Sequence, residues 1–367
     1  MKDCIKVLEK EMKKILYVIS SMSANGAERV MSLLANQAVK DGKEVFLALI
    51  SSSKVEYEMD KNVHIEYVGA DDCSSIYAVF KRMSNLRKVI KTFKPDVILS
   101  FLTTCNIYCC VAGMGLRTPI IISERNDPIK DCPSKIRRMV RNITYKFADG
   151  YIFQTEEARD YFSQNIQSNS VIIPNPVKKN LPLWNEKNNS HIIIAAGRLS
   201  KQKNYTMMLE AFSLFCKEED SYSLHIYGEG PDREILEAYK EKLDLGQKVV
   251  FKGVDLKIHE KMRDATMYVL SSDYEGISNS LLEAMSMGMP CISTDCPCGG
   301  SRHLIENDVS GILTEVGSAR EFADAMLKIT SSQAFARSLG KKALQTRYSH
   351  SEDEILSQYF QYIDSKG

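Results

Sequence analysis

Glu275 and Glu283, two carboxylates eight residues apart, sit in the segment Tyr274-Glu275-Gly276-Ile277-Ser278-Asn279-Ser280-Leu281-Leu282-Glu283-Ala284-Met285. A strand pattern over residues 267–271 precedes it and a helix pattern over 280–287 follows, which puts one carboxylate in a loop and the other in a first helical turn. A loop carboxylate accepts hydrogen bonds from sugar hydroxyls, and the free amides of a helix start favour a phosphate through geometry and dipole. A nucleotide sugar offers both groups. The plainer alternative is an S-x-x-E capping box of Ser280 and Glu283, in which Glu283 serves only its own helix.

Two further segments carry charge or glycine at the ends of predicted strands. Gly197-Arg198-Leu199-Ser200-Lys201-Gln202-Lys203-Asn204 brings a guanidinium and an ammonium to where a diphosphate could meet them, unless both are simply solvated. Gly228-Glu229-Gly230-Pro231 lets backbone approach a ligand, or is an ordinary strand-to-helix turn.

The elements that must position these residues alternate strand and helix. Short apolar runs at 15–20, 45–50, 64–68, 96–101 and 119–123, with helical patterns at 27–39 and 79–93, predict a parallel doubly wound sheet, and a weaker strand follows at 150–153. A second set runs from 191: strands at 191–195, 223–227, 249–251, 267–271 and 290–293, with helices at 205–217, 232–242, 259–265 and 280–287. The breaker-rich Ile173-Pro174-Asn175-Pro176-Val177 and the polar stretch 178–190 mark the hinge. The expected organisation is an N-terminal lobe over 1–178, with 1–11 an extension and Met12 a second plausible start, a C-terminal lobe over 191–349, and a final helix over 350–367. Ligands bind beyond the carboxyl ends of such strands, so the site is expected in an interlobe cleft.

At 367 residues the chain can bury two cores. Apolar residues are 44% and charged residues 26%, and no apolar run reaches the ~20 residues of a membrane span, which predicts a soluble, cytoplasmic protein. Ten cysteines show no paired CxxC knuckles and read as reduced thiols. Net charge is +1, but residues 1–178 carry +6 and the remainder −5, so the basic lobe is the one expected to face an anionic partner.

In this order and at these spacings the segments resemble the retaining glycosyltransferase family 4, from about Lys13 to the end. Glu275 and Glu283 match its E-x7-E signature, Arg198 and Lys203 its GR…K element, and Gly228 to Pro231 its G-x-G-P turn. The resemblance implies the GT-B fold, two Rossmann-like lobes around a cleft, the C-lobe holding a nucleotide sugar and the N-lobe the acceptor. It implies that Glu283 binds the ribose hydroxyls, that Arg198 and Lys203 hold the departing diphosphate, and that Glu275 with Gly276, Ile277, Ser278 and Asn279 grips the donor sugar. Backbone near Phe251 and Gly253 would contact the base, Gly228 and Gly230 would form a ligand-side turn, and Gly26 would lie under the donor phosphates and the acceptor. The final helix would cross back to the N-lobe.

Gly26-Ala27-Glu28-Arg29 and Ile122-Ser123-Glu124-Arg125-Asn126 are similar to members that build bacterial surface polysaccharides and lipid-linked oligosaccharides from hexose or N-acetylhexosamine donors, here expected to be UDP-linked. Arg125 stands where many members place a histidine against the donor sugar, and it is counted with the catalytic residues. Asn25 replaces one of two glycines, and Gly300 replaces a proline in the loop Cys296-Pro297-Cys298-Gly299-Gly300, whose cysteines read as structural. The two cations would substitute for a divalent metal; no D-x-D pair occurs, and Asp71-Asp72 reads as a solvated loop.

Residues 135–146 combine Ile136, Met139, Val140 and Ile143 at helical spacing with Lys135, Arg137, Arg138, Arg141 and Lys146. Such a helix can lie on an anionic bilayer and bring the cleft to a polyprenyl-diphosphate-linked acceptor, or can be a surface helix with one core face. Lys81, Arg82, Arg87, Lys88, Lys91 and Lys94 add to the basic side, without a nucleic-acid-binding motif. A transferase acting on a soluble sugar or glucan, and a non-catalytic nucleotide-sugar-binding subunit, are the alternatives.

Overall fold

The computed structural model describes residues 14–23, 25–70, 75–188 and 190–367. The extension at 1–11, the start at Met12 and the Asp71-Asp72 pair lie outside the described residues. Seven strands, β1 (Lys14–Ile19), β2 (Glu44–Leu49), β3 (Val63–Tyr67), β4 (Val97–Phe101), β5 (Ile120–Ser123), β6 (Gly150–Phe153) and β7 (Ser170–Ile172), form one sheet in the order β3-β2-β1-β4-β5-β6-β7. Six more, β8 (Ile192–Ala196), β9 (Ser223–Tyr227), β10 (Val249–Gly253), β11 (Met267–Leu270), β12 (Cys291–Thr294) and β13 (Ile312–Thr314), form a second in the order β10-β9-β8-β11-β12-β13. Every pairing in both is parallel. Strands such as Ile-Leu-Tyr-Val-Ile in β1 are apolar on both faces because helices cover both faces of the sheet.

Each sheet reverses its strand order once, between β1 and β4 in the first and between β8 and β11 in the second. The loops leaving those strands diverge and open a crevice. The helix Gly26–Lys40 begins just beyond β1, Arg198 follows β8, and Glu275 follows β11.

Several elements are not apparent from sequence patterning. The helix Thr103–Gly113 has no amphipathic stripe because eight of its eleven residues are buried, between the helices Ser75–Phe93 and Lys135–Thr144. Strands β7 and β13 have only three residues each, and the helices Ala319–Thr330 and Gln333–Ala343 close the C-lobe core.

The chain passes between the lobes twice, and the crossings brace each other. Val177 N–H donates to the His350 carbonyl at 2.7 Å, and Lys179 pairs with Glu352 at 3.2 Å and Asp353 at 2.9 Å. The stretch after the first crossing is tied to the C-lobe, where Trp184 Nε1 donates to Ala265 O. After the second, the helix Glu352–Asp364 lays Ile355, Leu356, Tyr359 and Ile363 into the N-lobe core with Ile15, Tyr17, Leu99 and Phe101.

Candidate functional site

A cavity of about 660 Å³ lies between the two switch points, lined by both lobes. The C-lobe supplies Arg198, Gln202, Lys203, residues 275–280 and Glu283; the N-lobe supplies residues 25–29, Tyr57, Leu102, Arg125, Asn126, Asp131, Gln154 and Asn175.

Lys203 Nζ pairs with Glu275 Oε1 at 2.5 Å, and Ser272 Oγ donates to the same oxygen at 2.8 Å. Asn204, in the left-handed conformation with φ 43°, ends the short turn carrying Lys203 and caps the next helix by accepting from Met207 N–H. Gln202 Nε2 donates to Tyr274 O, and Asn204 Nδ2 donates to Asp273, so the cationic loop and the carboxylate loop are held to each other. Arg198 stays exposed beside them.

The capping box does not form. The helix Asn279–Ser286 starts one residue earlier than its pattern, Ser278 is its cap without a side-chain bond, and Glu283 is the fifth helical residue. Ser280 Oγ instead donates to Ala196 O. Glu283 faces the cavity with one oxygen 2.9 Å from His259 Nε2 and the other 3.8 Å from Arg29 Nη1 of the N-lobe.

The glycine turn lies elsewhere. Gly228, Gly230, Phe251 and Gly253 do not line the cavity. An added Cβ at Gly228 would stand 2.0 Å from Gly197 O, and one at Gly230 would stand 2.2 Å from Leu199 O, so both glycines let the Arg198 loop lie flat on the turn. Leu199 N–H donates to Glu229 O, and Gly228 N–H to Gly253 O. Phe251 stacks under Arg233 in a separate groove.

On the N-lobe wall, Gly26 packs against Asn279; a Cβ there would lie 2.6 Å from Asn279 Nδ2. Asn25, in the place of a glycine, donates from Nδ2 to Glu28 Oε1 at 3.4 Å. Glu28 is buried, and burial raises its carboxyl above the ordinary range while its own backbone and Asn25 oppose the shift. The Tyr57 hydroxyl donates to Asn25 O and is pushed up to about 12, chiefly by burial, with Arg29 opposing and Glu28 adding.

Arg125 borders the cavity, but its guanidinium is engaged within the N-lobe. It donates to the Tyr359 hydroxyl and to Asn175 Oδ1, and it lies over the Phe101 ring at 4.7 Å. Cys296 is buried against Ser272 O and Cys298 in the N-lobe core beside Thr155; burial lifts both thiols to about 12, and Gly300 admits the Gly276 carbonyl, 1.7 Å from where a Cβ would be.

The basic helix Lys135–Thr144 turns its apolar side outward. Ile136 is 71% exposed, and Met139, Val140 and Ile143 are exposed with it, as is Phe147 just beyond. Arg141, one of its four cations, is instead fully buried, donating to Pro128 O and stacking on Tyr161 and Phe162.

Sequence reading passed over Glu28, Arg29, Tyr57, Asp131, Gln154, Asn175, Gln202 and His259 as members of the site. A proline on each side of Asn175 was a usable signal, since the residue before a proline is held extended; Glu28, Arg29 and Gln202 stand in segments remarked on for other residues, His259 lies on the helix Ile258–Arg263, and Tyr57, Asp131 and Gln154 are single polar residues in unremarked loops.

Comparison with known proteins finds matches over both lobes. Residues 178–346 match the family described as glycosyl transferases group 1, and residues 24–181 match glycosyltransferase family 4. A relative in Campylobacter jejuni is 28% identical over 94% of this chain and 98% of its own length; it is named GalNAc-alpha-(1->4)-GalNAc-alpha-(1->3)-diNAcBac-PP-undecaprenol alpha-1,4-N-acetyl-D-galactosaminyltransferase. Sucrose-phosphate synthase from Thermosynechococcus elongatus superposes with a TM-score of 0.82 at 16% identity, covering 95% of this chain and 98% of that one. Anabaena HepE, solved with UDP and glucose, superposes with a TM-score of 0.81 at 17% identity, covering 96% of this chain and 100% of that one.

Proposed function

This chain belongs to the group 1 and family 4 glycosyltransferases of GT-B fold, and from that premise we propose that it moves a hexose or N-acetylhexosamine from a UDP-sugar to a lipid-linked glycan acceptor, with retention, in surface polysaccharide synthesis. The observation that carries this reading is the convergence of Arg198, Lys203, Glu275, residues 276–279 and Glu283 on one cavity between the lobes. The relative whose name specifies an undecaprenol-diphosphate-linked acceptor supports the acceptor class.

In this reading Glu283, oriented by His259, accepts the ribose hydroxyls. The diphosphate settles between Arg198 and Lys203 near the amides that open the Asn279–Ser286 helix. Taking Lys203 as its partner frees Glu275 from the 2.5 Å ion pair to accept hydroxyls of the sugar. As the glycosidic bond breaks, negative charge grows on the leaving diphosphate, and fixed cations in a partly dehydrated cleft stabilise it more than water does. The acceptor hydroxyl enters from the N-lobe wall on the face the diphosphate leaves, and its proton passes to the departing phosphate oxygen. The two cations fill the role a divalent metal plays elsewhere.

No helix among the described residues is long and apolar enough to cross a membrane. The outward apolar stripe at Ile136, Met139, Val140 and Ile143, flanked by Lys135, Arg137 and Lys146, supports peripheral attachment to the anionic inner face of the cell membrane. The test is release of free nucleoside diphosphate from UDP-, GDP- and ADP-sugars, with and without polyprenyl-diphosphate-linked sugars, in wild type and Glu283→Ala. Acceptor-dependent release from a UDP-sugar, lost in the variant, is the expected result. Release stimulated only by soluble sugars would move the assignment to a soluble acceptor, and tight donor binding without turnover to a binding subunit.

A further inference from the structure

The backbone of Ile277, at the centre of the loop assigned above to the donor sugar, is held from the other lobe by both of its polar groups. Its N–H donates to Gln154 Oε1 at 3.1 Å, and its carbonyl accepts from Asn175 Nδ2 at 2.9 Å. Asn175 Nδ2 also reaches Asn279 Oδ1 at 2.8 Å, and Gln154 Nε2 closes the ring by donating to Asn175 Oδ1 at 2.7 Å. Gln154 and Asn175 are both buried, so these bonds form away from water. Arg125 donates to the same Asn175 oxygen, which leaves the Asn175 amide free only to donate toward the C-lobe. Arg125 in turn rests on Phe101 and on the hydroxyl of Tyr359, a residue of the crossing helix Glu352–Asp364 that does not border the cavity.

We propose that Gln154, Asn175 and Arg125 are positioning residues for the donor sugar: they fix the peptide plane of Ile277 from the N-lobe, with Tyr359 setting Arg125 from behind. This deepens the reading of residues 275–279 as the sugar-binding loop and rests on it. The side chains assigned above to the nucleotide, Arg198, Lys203 and Glu283, are not touched by this chain of bonds. The clamp therefore acts on the sugar half of the donor and on its alignment, and leaves the UDP half alone.

Two single changes test it. Tyr359→Phe deletes one hydroxyl and keeps the ring in the core, and Gln154→Ala removes the clamp on the Ile277 amide. Each is measured by calorimetric binding of UDP, UDP-glucose and UDP-N-acetylglucosamine, by kcat and donor KM, and by thermal unfolding. Both variants are expected to unfold within a few degrees of wild type and to bind UDP within about twofold. Each should lose about tenfold in kcat and in the preference for the better UDP-sugar over UDP, the usual scale of a sub-ångström misplacement. The double variant should lose less than the product of the two, because both converge on the Ile277 peptide and Gln154 is itself bonded to Asn175. Unchanged kcat and sugar preference in both variants would overturn the proposal, as would equal losses of UDP and UDP-sugar affinity. A wild type that binds UDP but gains nothing from the attached sugar would instead overturn the reading beneath it.

Discussion

The two walls of the cleft are built differently. The C-lobe wall comes from two loops and the helix Asn279–Ser286 and presents formal charges, Arg198, Lys203, Glu275 and Glu283, two of them already paired to each other. The N-lobe wall is gathered from widely separated stretches of the chain and meets its neighbour mainly through amides, glycine and backbone carbonyls, with Arg29 facing Glu283 at 3.8 Å as a charged contact between them. In the proposed reading, charge suits a diphosphate whose chemistry is the same in every turnover, and neutral hydrogen bonds suit a surface that must locate a loop without competing for that anion.

Substitutions can break or sharpen this contrast. The largest effect is expected from Lys203→Ala, which removes a cation proposed for the leaving group and leaves Glu275 as a buried charge without that partner. Steady-state assays should show kcat down by about 100-fold or more. If that loss stayed below tenfold, the charged wall would not be the catalytic one.

The outer surface of the N-lobe comes next. Changing Ile136 and Met139 together to Asp should weaken flotation with vesicles containing anionic phospholipid by about 100-fold, the scale of two lost apolar contacts. Turnover on a short, water-soluble acceptor should be unchanged. Equal flotation would show that the stripe is not what attaches the protein.

Gly276→Ala tests the line where the walls touch. Its new Cβ would stand 2.1 Å from Gln154 Oε1 and 2.6 Å from Arg125 O, so the lobes must separate or the loop must shift. A fall of about tenfold in kcat/KM for the donor is expected, with a nearly unchanged unfolding temperature.

Glu28→Gln should give the smallest effect and the opposite sign. Burial raises the Glu28 carboxyl, so the folded protein holds its proton more tightly than the unfolded chain does. That contribution is present below the unfolded value and is lost as pH rises through the folded one. The amide avoids the loss, so Tm should rise by about 2 °C at neutral pH. The gain should fade as pH falls into the ordinary carboxylate range; a gain of equal size there would show that ionisation is not its cause.

What was legible in the sequence follows the same division. Strands such as β1, β4 and β5 were visible because parallel strands covered on both faces are continuous apolar runs. The helix Thr103–Gly113 was not, because burial on all sides erases the period by which a helix is recognised. In the site, Arg198, Lys203, Glu275 and Glu283 are close in sequence to the strand ends that aim them. Gln154 and Tyr359 are 205 residues apart in the numbering and acquire a shared purpose only once the chain has crossed back. The two amphipathic helices Lys135–Thr144 and Glu352–Asp364 mark the limit of pattern reading. Periodicity identifies the apolar side of each, but only packing decides that one is covered by a core and the other is left open.

The return of the Glu352–Asp364 helix also sets an order of assembly. The N-lobe strands leave the ribosome first, yet Ile355, Leu356, Tyr359 and Ile363 of their core are synthesised only after the whole C-lobe sheet. The first lobe to be made is thus the last to be finished, and the nascent chain must carry an open apolar seam through most of its own translation. A ribosome that stops after residue 350 releases a C-lobe joined to an N-lobe with that seam still uncovered.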